Sequence, residues 1–276
     1  MGAAIVLAAF AWPAAAQQKK PLVILNAALL EADDGFPAPA DIIYQPGEIL
    51  YLSFHVQGYT TDRNSRVRLS YQVETRDANG VAFFEPLDGK IETELAPQDA
   101  KWMPRIRFSP VLPPTADSGR YRLVLRVSDD LAKTQTTQEL AFQVRGRRVE
   151  PSETLVVRNV QFSRLEDGDP LAAPAFRRGE TLWAAFDILG YRRGENNLVW
   201  VDYTVAVVNA EGKTLFQQAQ PAEDKGASFY PRRYVRAVFS LNLERHMAPG
   251  EYTIVLAVRD RIGNQSNESR HKFTVE

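Results

Sequence analysis

The stretch GEILYLSFHVQGY, beginning at Gly47, returns without a gap as GETLWAAFDILGY, beginning at Gly179. The match pairs Leu50 with Leu182, Phe54 with Phe186, Gly58 with Gly190 and Tyr59 with Tyr191, then Tyr71 with Tyr203, Gly80 with Gly212 and Phe84 with Phe216. After a slip of one residue it resumes, setting Phe108, Gly119, Tyr121, Asp129, Phe142 and Val144 against Phe239, Gly250, Tyr252, Asp260, Phe273 and Val275. Two long copies imply two domains from an internal duplication rather than a solenoid, which needs several short units to bury a common core. A length of 276 residues accommodates two domains of ordinary size.

Within each copy the apolar residues recur with a period of two. Leu50, Leu52, Phe54 and Val56 alternate with Ile49, Tyr51, Ser53 and His55; Val67, Leu69, Tyr71 and Val73 alternate with Arg68, Ser70, Gln72 and Glu74. Successive strand side chains point to opposite faces, so this pattern predicts half-buried strands. Turn signals punctuate them at Pro46-Gly47, Asn79-Gly80, Pro113-Pro114, Glu211-Gly212 and Pro249-Gly250. No amphipathic helical pattern follows residue 20. The expected fold class is all-β: two tandem antiparallel β-sandwiches, residues 21–144 and 153–276, joined by a short charged linker at residues 145–152. Each copy has surplus chain before the strand around Phe108 or Phe239, where extra edge strands or a long loop are expected.

The stretches DSGRYRLVLRVSDD (from Asp117) and APGEYTIVLAVRDR (from Ala248) each carry Gly-x-Tyr, an alternating run and an Asp. Gly119 with Tyr121, and Gly250 with Tyr252, resemble the tyrosine corner of immunoglobulin-like and fibronectin type III-like domains, in the bacterial rather than the antibody form. That resemblance implies that each hydroxyl bonds back to the preceding crossover. It also implies that Tyr121, Leu123, Leu125 and Val127, like Tyr252, Ile254, Leu256 and Val258, face the core. Leu123 and Ile254 stand where an antibody domain has a disulfide Cys, and Tyr71 or Tyr203 stands where it has Trp. The resemblance covers nearly all of residues 21–276 and implies fold, not function.

Residues Ala3 to Trp12 are almost all apolar, and Ala14-Ala15-Ala16 before Gln17 offers a cleavage site, so residues 1–16 are expected to be a signal peptide. Export to the periplasm or cell exterior follows, with no transmembrane anchor left after cleavage. With no cysteine in the chain there is no disulfide framework, thiolate nucleophile, Cys-ligated zinc or lipoprotein anchor. Lys plus Arg number 33 and Asp plus Glu 34, so no global field attracts nucleic acid.

Catalytic patterns are missing. His55, His246 and His271 have no metal-ligand spacing, and His271, in phase with Phe273, is expected to pack as a core residue. There is no nucleophile elbow or phosphate-cradling loop. The acidic stretches Asp33-Asp34 and Glu166-Asp167-Gly168-Asp169 supply oxygens a calcium ion could use but lack EF-hand spacing, and they read as solvated turns. The sequons at Asn264 and Asn267 lie in a polar hairpin. No enzyme activity, cofactor or metal site is expected.

The function expected is an exported, non-enzymatic binding or scaffold protein with a protein partner or an envelope polysaccharide; the sequence sets no oligomeric state. Alternation places Arg66, Arg68, Arg122 and Arg126 on the outer face of the first copy, a basic patch. The corresponding face of the second copy carries Trp200, Asp202, Thr204 and Ala206 beside Thr253, Val255, Ala257 and Arg259; Trp200, Val255 and Ala257 form an expected apolar contact patch unless residues 213–231 fold over the indole. For the alternative, carbohydrate binding, the aromatic candidates are Trp102, Trp183, Trp200, Tyr230 and Tyr234. At the junction, acidic turns at Asp33-Asp34, Asp77 and Asp117 are expected to face Arg192, Arg193 and the linker arginines.

Overall fold

The computed structural model describes residues 20–99 and 101–276. The expected signal peptide lies outside these residues. Among them the only helical elements are 3-10 turns at Pro97–Asp99 and Glu195–Asn197, and everything else that is regular is strand.

The first eight strands are β1 (Val23–Leu30), β2 (Ile43–Tyr44), β3 (Tyr51–Gln57), β4 (Arg66–Arg76), β5 (Leu87–Glu94), β6 (Arg105–Phe108), β7 (Gly119–Asp129) and β8 (Thr134–Val144). They form one sheet of order β1-β3-β6 and another of order β2-β8-β7-β4-β5. The next nine are β9 (Val156–Ser163), β10 (Ala175–Phe176), β11 (Thr181–Leu189), β12 (Val199–Asn209), β13 (Thr214–Gln217), β14 (Ala222–Gly226), β15 (Val235–Asn242), β16 (Gly250–Asp260) and β17 (Gln265–Val275). Their sheets run β15-β11-β9 and β10-β17-β16-β12-β13, with β14 also paired to β12. The surplus chain thus becomes edge strands: β5 in the first set, β13 and β14 in the second.

Each pair of sheets closes on its own core. Leu52, Phe54 and Val56 of the small first sheet meet Leu69, Leu123, Leu125 and Val127 of the large one, none more than 1% exposed. Leu182, Phe186 and Ile188 meet Val201, Ile254, Leu256 and Val258 in the same way. Burying each such side chain contributes about 1.5–3 kcal/mol, which is why the period-two pattern dictates the sheet faces.

The residues repeated in sequence perform repeated structural tasks. The Tyr121 hydroxyl donates to the Asp117 carbonyl at 3.1 Å, and that of Tyr252 to the Ala248 carbonyl at 2.6 Å. At the opposite end of the same strands, buried Asp129 accepts the Leu131 and Ala132 amides through Oδ1 and the Thr60 amide through Oδ2. Asp260 does likewise with Ile262, Gly263 and Arg192. Each stretch therefore ties a crossover down at its Tyr and two loops together at its Asp. Gly58 and Gly190 adopt φ of +80° and +73°, and a Cβ there would lie 2.0 Å from the Pro21 carbonyl oxygen and 1.9 Å from that of Thr154. Glycine is required at both because the chain entering each sandwich crosses directly over it.

Candidate functional site

Antiparallel pairing sends the β4–β5 turn, the crossover before β7 and the end of β8 to one end of the first sandwich. That end meets the loop between β14 and β15. Tyr230, 5% exposed, belongs to the first sandwich's core cluster although it lies in the second half of the chain. Its hydroxyl donates to Asp77 Oδ2 at 2.9 Å. Asp77, 2% exposed, also accepts the Asn79 and Val81 amides at 2.8 Å through Oδ1 and Arg233 at 3.4 Å. Arg233 pairs with Asp117 as well. Burial first, then the neighbouring Tyr121 and Asp77, push the Tyr230 phenol far above its ordinary range, so it stays protonated as the donor. A buried carboxylate is tolerated here because both of its oxygens have donors.

Gly146 and Arg147 are held from opposite sides. Ser118 Oγ donates to the Gly146 carbonyl at 2.8 Å. Arg147 reaches Asp187 Oδ1 at 2.7 Å and lies 5.6 Å from the Tyr234 ring centroid. Asp187 is fully buried and also accepts from Asn159 at 2.7 Å.

This corrects the expected junction. Asp77 and Asp117 do face basic chemistry, but from Arg233 rather than Arg192 or Arg193. Arg147 turns to Asp187 of the second sandwich. Asp33 and Asp34 fold onto the outer face of the small first sheet, where Arg107 bonds both and Arg105 bonds Asp34 at 2.6 Å. Among the described residues no group of three or more His, Asp or Glu is gathered for a metal.

The expected basic patch is neutralised. Arg66 pairs with Glu94 at 3.7 Å, Arg68 with Glu92 at 2.9 Å and Arg122 with Glu139 at 3.6 Å, while Arg126 bonds Glu74 and Gln72. Arg76 and then Arg126 hold the Glu74 carboxyl below the ordinary carboxylate range. β4–β5 register sets Arg66 and Arg68 directly opposite Glu94 and Glu92, making a cross-strand charge ladder in place of a positive field.

Charged side chains flank the expected apolar patch, whose residues are half-buried. Trp200 sits opposite Lys225 of β14, whose ammonium lies 3.7 Å from the ring centroid, and its Nε1 donates to Glu223 at 2.9 Å. The half-buried Val255 and Ala257 lie opposite Arg270 and Glu268 of β17, which bond each other. Charged neighbours therefore interrupt the surface. Tyr230 and Tyr234 are 5% and 8% exposed, which withdraws both from ligand stacking.

Trp102 has a different setting. At the far end of the first sandwich an open groove of about 940 Å³ lies between the Gly58-Tyr59 turn, the entry to β4 and the loop before β6. Tyr59 donates its hydroxyl to the Trp102 carbonyl at 2.5 Å, and the rings meet edge to face with centroids 6.3 Å apart. Trp102 and Met103 are 37% and 39% exposed. The equivalent end of the second sandwich uses the same tie, Tyr191 hydroxyl to the Arg232 carbonyl at 2.9 Å, but there Tyr230 and Arg233 project into the first sandwich. One such end is filled by the junction; no described residue fills the other. The repeat pairs Tyr59 with Tyr191, yet nothing in it signals that their ends differ in occupancy.

Fold and site define an all-β protein of paired sheets, with a polar buried junction and an aromatic groove at one end. No family model matches the chain, and no curated protein matches it. Among solved structures it is similar to the C-terminal domain of the Streptococcus agalactiae antigen I/II polypeptide BspA. The TM-score is 0.31 and the identity 10%, over 93% of this chain and 100% of that one. It is also similar to the C-terminal domain of the Streptococcus pyogenes antigen I/II-family protein AspA, with TM-score 0.32 and 10% identity over 92% and 98%. At these scores the likeness says nothing about function. No helix among the described residues is long and apolar enough to cross a membrane.

Proposed function

We propose that this chain is an exported, non-enzymatic binding protein, acting in the periplasm or outside the cell. In this reading residues 21–144 and 153–276 are duplicated domains joined at 145–152 and held as one stiff body that presents the Tyr59–Trp102 groove at its free end. The observation that carries the reading is the unequal use of the two equivalent ends. Tyr230 and Arg233 anchor one end to its neighbour, whereas the other displays two large apolar side chains around a cavity of about 940 Å³. Ligand sites are concave and carry a few convergent polar groups among apolar ones, and the groove has this composition. The duplication is supported by matching corners, matching Gly58 and Gly190 crossings, and matching bulge asparagines at positive φ, Asn26 and Asn159. The test is retention of material from the exporting cell's envelope fraction on immobilised residues 17–276. Trp102→Ala should abolish retention and Trp200→Ala should not; retention equal on all three proteins would refute the reading.

A further inference from the structure

Resting on that reading, we propose that the free-end groove is a saccharide-binding cleft for several consecutive sugar residues. Its volume of about 940 Å³ lies at the upper end of the roughly 300–1,000 Å³ of ligand pockets, which suits an oligomer better than a single ring. The aromatic wall is already assembled without a ligand, because the Tyr59 hydroxyl is bonded to the Trp102 backbone and the rings meet edge to face. That hydroxyl is engaged, so the wall offers ring surface, against which the C–H faces of a pyranose pack. Also lining the groove are Gln57, Thr61, Ser65, Glu94 and Lys101. Amide, hydroxyl, carboxylate and ammonium together supply donors and acceptors at short intervals, the complement of sugar hydroxyls, which are both. The described lining carries the Glu94 carboxylate, which pairs with Arg66, and the Lys20 and Lys101 ammoniums, and it holds no arginine to grip a phosphate-rich chain bidentately.

The test is a glycan array of neutral and uronate-bearing oligosaccharides, followed by titration of the best binder into residues 17–276 with isothermal titration calorimetry as readout. Expected are a change in the parent's tryptophan fluorescence on binding and, by calorimetry, at least tenfold weaker binding by Trp102→Ala at unchanged melting temperature and near-parent binding by Trp102→Phe and Trp200→Ala. If Trp102→Ala unfolds, Lys101→Ala with Gln57→Ala should weaken binding at least tenfold instead. The inference is overturned if no glycan binds, or if binding is indifferent to these changes. Retention of a protease-sensitive envelope component that depends on Trp102, with no glycan bound, would leave the recognition end standing and the saccharide refuted. Loss of both would remove both.

Discussion

Tyr230→Phe isolates the link between the two sandwiches. The ring stays in the first sandwich's core and only the hydroxyl leaves, so Asp77 Oδ2 loses its 2.9 Å donor. Arg233 remains at 3.4 Å, and the Asn79 and Val81 amides still serve Oδ1. A hydrogen bond to a buried charged acceptor is worth about 1.5–3 kcal/mol, and the surviving Arg233 places the expected loss near the lower figure. Tyr230→Ala adds a vacated ring site, for which losses of about 3–5 kcal/mol are typical. At roughly 4 °C per kcal/mol for a sandwich of this size, the expected fall in melting temperature is about 6 °C for Phe and more than 12 °C for Ala. The location of the loss is the sharper readout. Hydrogen exchange should accelerate in β7 and β8, around Tyr121 and Phe142, although the altered residue lies beyond β14 in the chain. Faster exchange confined to residues 153–276, or a melting temperature within 1 °C of the parent for Tyr230→Ala, would show that the plug does not couple the halves.

Three further outcomes are expected. Tyr121→Phe and Tyr252→Phe each leave a crossover carbonyl without its donor and should lower stability by about 1–3 kcal/mol in thermal unfolding. Gly58→Ala and Gly190→Ala force a Cβ to about 2 Å from the entering backbone and should each cost more than the corner mutants, with exchange rising first in β1 or β9 respectively. Burial lowers the His271 pKa below its ordinary value of 6.5. The folded chain therefore prefers the neutral ring, and its contribution to stability is complete above about pH 6.5, declining as pH falls from there through the lower folded value. His271→Gln should flatten that part of a melting-temperature profile, and an unchanged slope would refute the assignment.

Much of the fold was legible because strand geometry is local. Side chains two apart share a face whatever lies beyond, so Leu50 to Val56 and Tyr121 to Val127 announced their burial without tertiary information. The second copy made the reading firmer, since accidental alternation does not recur with the same Gly, Tyr and Asp. The outward direction of Arg66, Arg68 and Trp200 was equally visible. What would stand beside them was not. Whether Arg68 meets Glu92, or Trp200 meets Lys225, depends on the register of an edge strand reached through a loop, and one step of slip would exchange every partner.

The candidate site separates the two kinds of information most clearly. By itself the sequence determined an all-β chain, the inward faces and the Gly and Tyr positions that shape each sandwich, because these follow from steric rules acting over a few residues. Only the tertiary structure decided which end of a sandwich is occupied. Tyr230 and Asp77 are 153 residues apart and share no local pattern, and the Tyr59 and Tyr191 turns read alike. Their difference arises when the second sandwich lays Tyr230 and Arg233 against its neighbour, while no described residue fills the Trp102 end; that outcome depends on contacts between distant stretches, which no short stretch of chain encodes.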